Sequence, residues 1–515
     1  MTTLFLLLSV AADPVAADVV IHGATIYDGT GKAGSVGDVA IAGDKIVGVG
    51  EIRVAGKPRV IDGTGLVVAP GFIDLHTHCD TGDNSVTKPV HRLNKCYLTQ
   101  GVTTVITGNC GAGPSNVKEF YETLDKNGVG TNVAHLVPHN SVRTRAMGNA
   151  NRQPTPDELQ KMRDLVEAGM NDGAWGLATG LIYTPGTYAK TDEIVELAKV
   201  AAKHHGIYAS HMRHEDTRLL EAIEETLTIG REAKIPVHIS HIKASGKKAW
   251  GLSGDAVALI RKARASGMTV TADQYPYVAS STSLAATVVP SRYRDGTAQQ
   301  YRARFDDPEK GPQIRKAIEA DTKGRAKNIV IASFAKNRKW QGKSLADIAA
   351  AENRSVTDIV TEIEKAGGAG VVNFGMSEED VRVYMKQPWV ATASDGSAWV
   401  PGDSVPHPRS YGTFPRKIGR YSITDGVIPL EQAIRASSGL PADIIGFTDR
   451  GNLKPGQFAD VVVFDPKTYR DAATFEQPHQ YASGVRYLFV NGKVVIDGGE
   501  FKEVLAGKAL RRQGG

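Results

Sequence analysis

Cysteine is scarce. Cys79, Cys96 and Cys110 are the only three in 515 residues, which excludes a disulfide framework and leaves each thiol to be read from its surroundings. Long apolar runs are missing as well: the stretch from Leu4 to Ala12 has about nine residues where a bilayer span needs roughly 20, so no stable membrane span is expected. No basic block stands out among 61 Lys+Arg and 56 Asp+Glu, with a formal net charge of +5, which argues against nucleic acid as a partner. No low-complexity tract interrupts a composition of 41% hydrophobic and 23% charged residues, that of a folded globular protein.

At the N-terminus, the apolar core is followed by Val15, Ala16 and Ala17, small residues suited to signal-peptidase cleavage before Asp18. Residues 1–17 are therefore expected to be a signal peptide, and the protein to be exported to the periplasm or beyond. Because no Lys or Arg precedes the apolar core, a cytoplasmic location is the alternative.

Two textures alternate along the rest of the chain. Residues 18–69 read as short strands with Gly and Asp turns ("DVVIHGATIYDG", "DVAIAGDKIVGVG"), and the same texture returns within 427–505 ("GQFADVVVFDP", "VRYLFVNGKVVIDGG"). One small β-sandwich domain built from both chain ends accounts for this. Between them, residues 70–426 alternate strand-like runs with amphipathic helical runs such as "TDEIVELAKVAAKHHG", with a Thr cap and a terminal Gly. Eight strands can be read: "GFIDLHTH", "VTTVITGNCG", "NVAHLVPHNS", "AWGLATGLIY", "GIYASHMRHE", "PVHISHIKAS", "TVTADQYPY" and "WVATASDGS". They predict an α/β fold, a (β/α)8 TIM-like barrel, with an insertion over 284–388 near its mouth. Most of these strands start apolar and end in His, Cys, Asp, Asn or Tyr, which gathers polar side chains at the C-terminal mouth where such barrels carry their chemistry.

His76 and His78 lie two apart on a strand and so face the same way. Alone, such a pair either ligates a metal or simply hydrogen-bonds. His211 and His241 each end a neighbouring strand, and Cys110 ends the second; four imidazoles and one thiolate at one mouth suit Zn²⁺. Asp395 in "ATASDGS" reads as a turn former before Gly or, from its place in the strand count, as a base that takes a proton from water and delivers it to a leaving nitrogen. Arg213 and Glu215 are candidates for orienting His211. His135 and His139 read as structural histidines, and Cys79 and Cys96 as small apolar residues or free thiols; a Cys79–Cys110 disulfide would abolish the thiolate ligand.

"GFIDLHTH", the two single-His strands, "SDGS" and "GNLKPGQFADVVVFDP" resemble the amidohydrolase superfamily. Within it, "TGNCGAGP", "GLIYTPGTYA", "SHIKASG", "DQYPY" and "HPRSYGTFPR" resemble the N-acyl-D-amino-acid deacylase (D-aminoacylase) family, over essentially the whole chain after residue 17. The resemblance implies that Cys110, His211 and His241 hold a tightly bound zinc, that His76 and His78 form a second, weaker metal site, and that Asp395 is the catalytic acid/base. It implies substrate binding, chiefly of a carboxylate, by Tyr183, Lys243, Arg409 and a tyrosine of "DQYPY", with Tyr275 preferred to Tyr277. Many superfamily members bridge two metals with a modified lysine on strand four, where "AWGLATGLIY" offers none. The expected activity is hydrolysis of an N-acyl-D-amino acid to a carboxylate and a free D-amino acid, the D configuration being implied by the resemblance alone. The competing readings are another amidohydrolase reaction, such as cyclic amide hydrolysis or deamination, and a non-catalytic metal- or substrate-binding relative. Cys110 and the missing lysine argue against cyclic amide hydrolysis, and the full set of reactive side chains against a non-catalytic relative.

Overall fold

The computed structural model describes residues 14–513; residues 1–13, most of the expected signal peptide, lie outside this range. Val15–Ala16 pairs in parallel with Val54–Ala55.

Eight short parallel strands form the centre: β1 (Phe72–Asp74), β2 (Val102–Thr107), β3 (Asn132–His135), β4 (Gly176–Gly180), β5 (Ile207–His211), β6 (Val237–Ile239), β7 (Val270–Gln274) and β8 (Val390–Thr392). β3 kinks at Leu136, so that its first half pairs with β2 and its continuation Val137–Pro138 with β4. β4 to β8 then follow in order. The ring closes beyond the ends of β8 and β1, where Asp395 N–H donates to the His76 carbonyl at 2.8 Å and His78 N–H to the Gly396 carbonyl at 2.7 Å. The closure is thus made by the backbone of His76, His78 and Asp395, three of the expected reactive residues.

The intervening segments are amphipathic helices that bury one stripe against the strands, as in Thr191–Lys203, which buries Ile194, Leu197, Ala198 and Ala201. Here Thr191 is not the cap expected from the sequence. Lys190 occupies that position and Thr191, already helical, donates its hydroxyl hydrogen to Glu225 at 3.0 Å. The helices Leu430–Ser437 and Gly439–Ile445 pack on β1 and β8, so the helical layer of the barrel continues past residue 426.

A second sheet runs through Val19–Ile26, Ser35–Ala42, Lys45–Gly50 and Val67–Pro70 and is continued by Val461–Phe464, Val485–Val490 and Lys493–Asp497. Its two middle strands, Val67–Pro70 and Val461–Phe464, are buried along their whole length: Ile21, Val39, Ile41, Val68, Val461 and Phe489 fill the core on one face, and Val67, Ala69, Val462 and Phe464 join the barrel's core on the other.

The inserted unit between β7 and β8 is built on the antiparallel strands Ser280–Ser283, Ile329–Ser333 and Gly370–Asn373, the last in the middle. It has its own core of Leu284, Ile314, Ile331, Trp340 and Ile359. Glu364, inside this unit, accepts a hydrogen bond from the Tyr301 hydroxyl at 2.9 Å, and burial pushes its carboxyl from the ordinary 4.5 up to about 7. The folded value exceeds the unfolded one, so the group stabilises fully below about pH 4.5 and this contribution is lost as pH rises through 7. Glu364→Gln should therefore raise the unfolding free energy at pH 8 by on the order of 3 kcal/mol, and the thermal midpoint with it, and have little effect at pH 4; melts at the two pH values measure it.

Candidate active site

Cys110, His241 and Asp395 follow β2, β6 and β8 with φ of 53°, 35° and 52°, a left-handed backbone that residues other than Gly adopt at about 1–3 kcal/mol each. Specific bonds hold two of these turns. Asp273 Oδ1 accepts the His241 N–H at 2.6 Å, and Asp395 N–H is held by the His76 carbonyl in the closure described above. Beside Cys110, the Asn109 amide donates to the carbonyls of Leu75 and Ile106 at 3.1 and 3.0 Å. Gly180, at the end of β4, is the other element of this arrangement: a Cβ there would lie 2.0 Å from the Cys110 carbonyl oxygen, so the cysteine loop fits only because strand four ends in glycine.

The six residues expected to carry the chemistry converge. Cys110 Sγ lies 3.4 Å from His211 Nδ1, 3.6 Å from His241 Nε2 and 3.3 Å from His76 Nε2. Asp395 Oδ1 lies 3.0 Å from His78 Nε2 and 3.5 Å from His76 Nε2. Two groups of ligand atoms result, Cys110–His211–His241 and His76–His78–Cys110–Asp395, with the thiol common to both. Bonds of about 2.3 Å to sulfur and 2.05 Å to nitrogen at the tetrahedral angle place donors about 3.5 Å apart; the observed separations meet that requirement. One thiolate with two imidazoles is a zinc-type donor set.

The electrostatics suit such an ion. Burial lowers His211 well below the ordinary histidine range and His76 to about 4, which keeps both imidazoles neutral and their lone pairs available. Burial, helped by Asp395, pushes the Cys110 thiol up, so its ionisation depends on a nearby cation. Although burial alone would raise Asp395, Arg409, His241 and His76 hold its carboxyl well below the usual range. Arg409 Nη1 is 2.7 Å from Asp395 Oδ2, and its Nη2 donates to the Ser281 carbonyl at 3.2 Å.

Of the residues expected to bind substrate, Tyr183 packs edge-on against His211, with ring centroids 4.7 Å apart. Tyr275 lies under the Arg409 guanidinium at 4.9 Å, whereas Tyr277 packs against His407 and Arg416. Lys243 is buried and already engaged, its ammonium 2.5 Å from Glu215 Oε1 and 2.9 Å from the His241 carbonyl. A cavity of about 710 Å³ reaches His78, Cys110, Asp395 and Arg409 from one side, and one of about 870 Å³ reaches His211, His241, Lys243 and Tyr275 from the other.

Residues 59–496 match the model of the amidohydrolase family. The chain belongs to that family. It is similar to the D-aminoacylase of Alcaligenes xylosoxydans xylosoxydans, at 36% identity over 518 residues covering 96% of this chain and 98% of that one. The N-acyl-D-glutamate deacylase of the same organism is 34% identical over 501 residues, covering 93% of each. Among solved structures, the N-acyl-D-glutamate deacylase of Bordetella bronchiseptica, complexed with zinc and a phosphonate mimic of the tetrahedral intermediate, matches with a TM-score of 0.81 at 32% identity, over 96% of this chain and 100% of that one.

In this amidohydrolase two carboxylates organise the histidines, and the sequence reading missed the first. Asp273 is 2.7 Å from His238 Nε2 and 3.5 Å from His76 Nδ1, besides accepting the His241 N–H. It lies two residues before Tyr275 in "TADQYPY", so its strand-end position was the available signal. Glu215 was expected to orient His211 with Arg213. Instead it approaches His241 Nδ1 at 3.0 Å and stands 3.9 Å from His211 Nε2, while Arg213 pairs with the helix carboxylate of Glu225 at 2.9 Å and donates to the Thr187 and Ala189 carbonyls at 3.0 and 2.9 Å. Asp273→Asn should weaken divalent-cation affinity about 10- to 100-fold, read by competition with a chelator. His135 and His139 are buried against Pro114 and Glu193, and all three cysteines are free thiols.

Proposed function

We propose that the protein is a zinc-dependent hydrolase that deacylates N-acyl-D-amino acids. The observation that carries this reading is the thiol of Cys110 shared between the His211–His241 pair and the His76–His78–Asp395 group, in a chain that is similar over its length to deacylases. When bound, zinc supplies a Lewis acid that polarises the acyl carbonyl and acidifies water. His211, His241 and Cys110 hold it, and His76 with His78 offers a weaker neighbouring site.

Asp395, ionised and held by Arg409, accepts a proton from the attacking water and returns it to the departing nitrogen, so that a carboxylic acid and an amine leave. Arg409 and Lys243 flank Tyr275 and supply two cations for the substrate's α-carboxylate. Tyr183 lines the same cavity, its hydroxyl accepting a hydrogen bond from Thr282 at 3.0 Å. The apolar leader supports export as a proposal, tested by whether the mature chain begins at Asp18.

The test is incubation with the N-acetyl D- and L-forms of methionine, glutamate and aspartate, with and without chelator. D-forms should be cleaved, L-forms spared, and activity lost to chelator and restored by zinc. Ring opening of a hydantoin or dihydropyrimidine without cleavage of any D-form would support the cyclic amide reading instead.

A further inference from the structure

The mouth of the barrel is partitioned. Thr282, on the inserted strand Ser280–Ser283, donates its hydroxyl hydrogen to the Tyr183 hydroxyl at 3.0 Å, and these two residues, with Ser281 and Asp395, line both cavities. A substrate whose amide lies at Asp395 therefore extends into two chambers of different chemistry. The 870 Å³ chamber is lined by seven Lys and Arg side chains, among them Lys243, Lys247, Lys248 and Arg294, against the four carboxylates Glu215, Asp216, Asp321 and Asp395, and this excess of cations assigns it the carboxylate-bearing half of the substrate. The 710 Å³ chamber has Pro185, Ala332, Trp399 and Pro406 in its wall, and Asp395 is its only carboxylate among the described residues. Its cations are the exposed Arg145 and Arg409, and Arg409 stands at the partition, held by Asp395 and stacked 4.9 Å over Tyr275 of the other chamber, so that it faces the carboxylate half across the boundary.

We infer that the 710 Å³ chamber receives the acyl group and selects linear acyl chains of about six to eight carbons over acetyl. The inference rests on the deacylase reading and adds the acyl half of the substrate to it. An acetyl group places three heavy atoms in a space within the range of about 300–1,000 Å³ that accommodates drug-sized ligands. Each further methylene drawn from water onto the apolar wall is worth about four-fold in kcat/KM. The inserted unit takes part directly, because Ala332 belongs to its strand Ile329–Ser333.

The test is kcat/KM for the acetyl, butanoyl, hexanoyl and octanoyl derivatives of D-methionine and, in parallel, of D-glutamate. At least one series should rise about thirty-fold or more from acetyl to hexanoyl. Ala332→Phe, which fills the chamber, and Trp399→Ala, which removes part of its wall, should each lower the hexanoyl-to-acetyl ratio about ten-fold. A flat or falling profile in both series overturns the inference and leaves the deacylase reading standing. A ratio unchanged in both variants overturns the placement of the acyl group. Failure to cleave any member of either series overturns both readings.

Discussion

Cys110→Ala is expected to leave a folded protein that neither retains zinc nor turns over, with kcat/KM lowered at least a thousand-fold, a loss of ~4 kcal/mol in transition-state stabilisation. The size follows from the position of one sulfur atom within 3.6 Å of His76, His211 and His241, so its removal takes a ligand from both possible sites at once. The thiolate is also the only anionic member of the Cys110–His211–His241 set, and without it two neutral imidazoles must hold a divalent ion. Cys110→Ser should restore the shape of the loop but little affinity, because a serine hydroxyl stays protonated where a thiol ionises toward a metal. Metal analysis after gel filtration, alongside the assay, reads both variants. Full activity of metal-loaded Cys110→Ala would remove the cysteine from the centre altogether.

Asp395→Asn should behave differently. The Cys110–His211–His241 group does not include Asp395, so zinc should persist while kcat falls about 10²- to 10⁴-fold, the range for loss of a positioned general acid/base. Asparagine preserves the volume and can still hydrogen-bond, but it can neither take the proton from water nor return it to the amine. It also leaves the buried Arg409 without its carboxylate partner at 2.7 Å, and the freed guanidinium then has only the substrate carboxylate to pair with. KM should therefore stay level or fall. A variant that loses zinc together with activity would make Asp395 a structural ligand rather than a proton carrier.

The contrast between these variants shows what a sequence can and cannot reveal. The barrel was readable because most strands start apolar and finish polar, so position within a strand predicts position at the mouth. His76 and His78 were readable by the two-residue period, even though β1 ends at Asp74 and only a single Thr77–Gly396 bridge carries the chain onward. Asp273 was not singled out, because its value lies in reaching His238 and His76 on other strands, and strand-to-strand register is absent from a linear text. The same holds for Lys243. The family resemblance carried by "SHIKASG" marked it as part of the site, but the Glu215 contact that occupies its ammonium could be seen only in three dimensions. The Thr282–Tyr183 bond joins segments 99 residues apart, and no local pattern announces it.

The absence of a side chain at Gly180 and the presence of the thiol at Cys110 are two sides of one steric fact, since the cysteine loop fills the volume that a strand-four side chain would enter. A side chain on Gly180 and the present path of the cysteine loop are therefore mutually exclusive within this barrel. A strand-four ligand placed at Gly180 would displace the loop that carries Cys110, so changing the donor set there would require coordinated changes at two strand ends. Ligand identity here behaves as a property of the backbone path, and it should resist replacement by single substitutions.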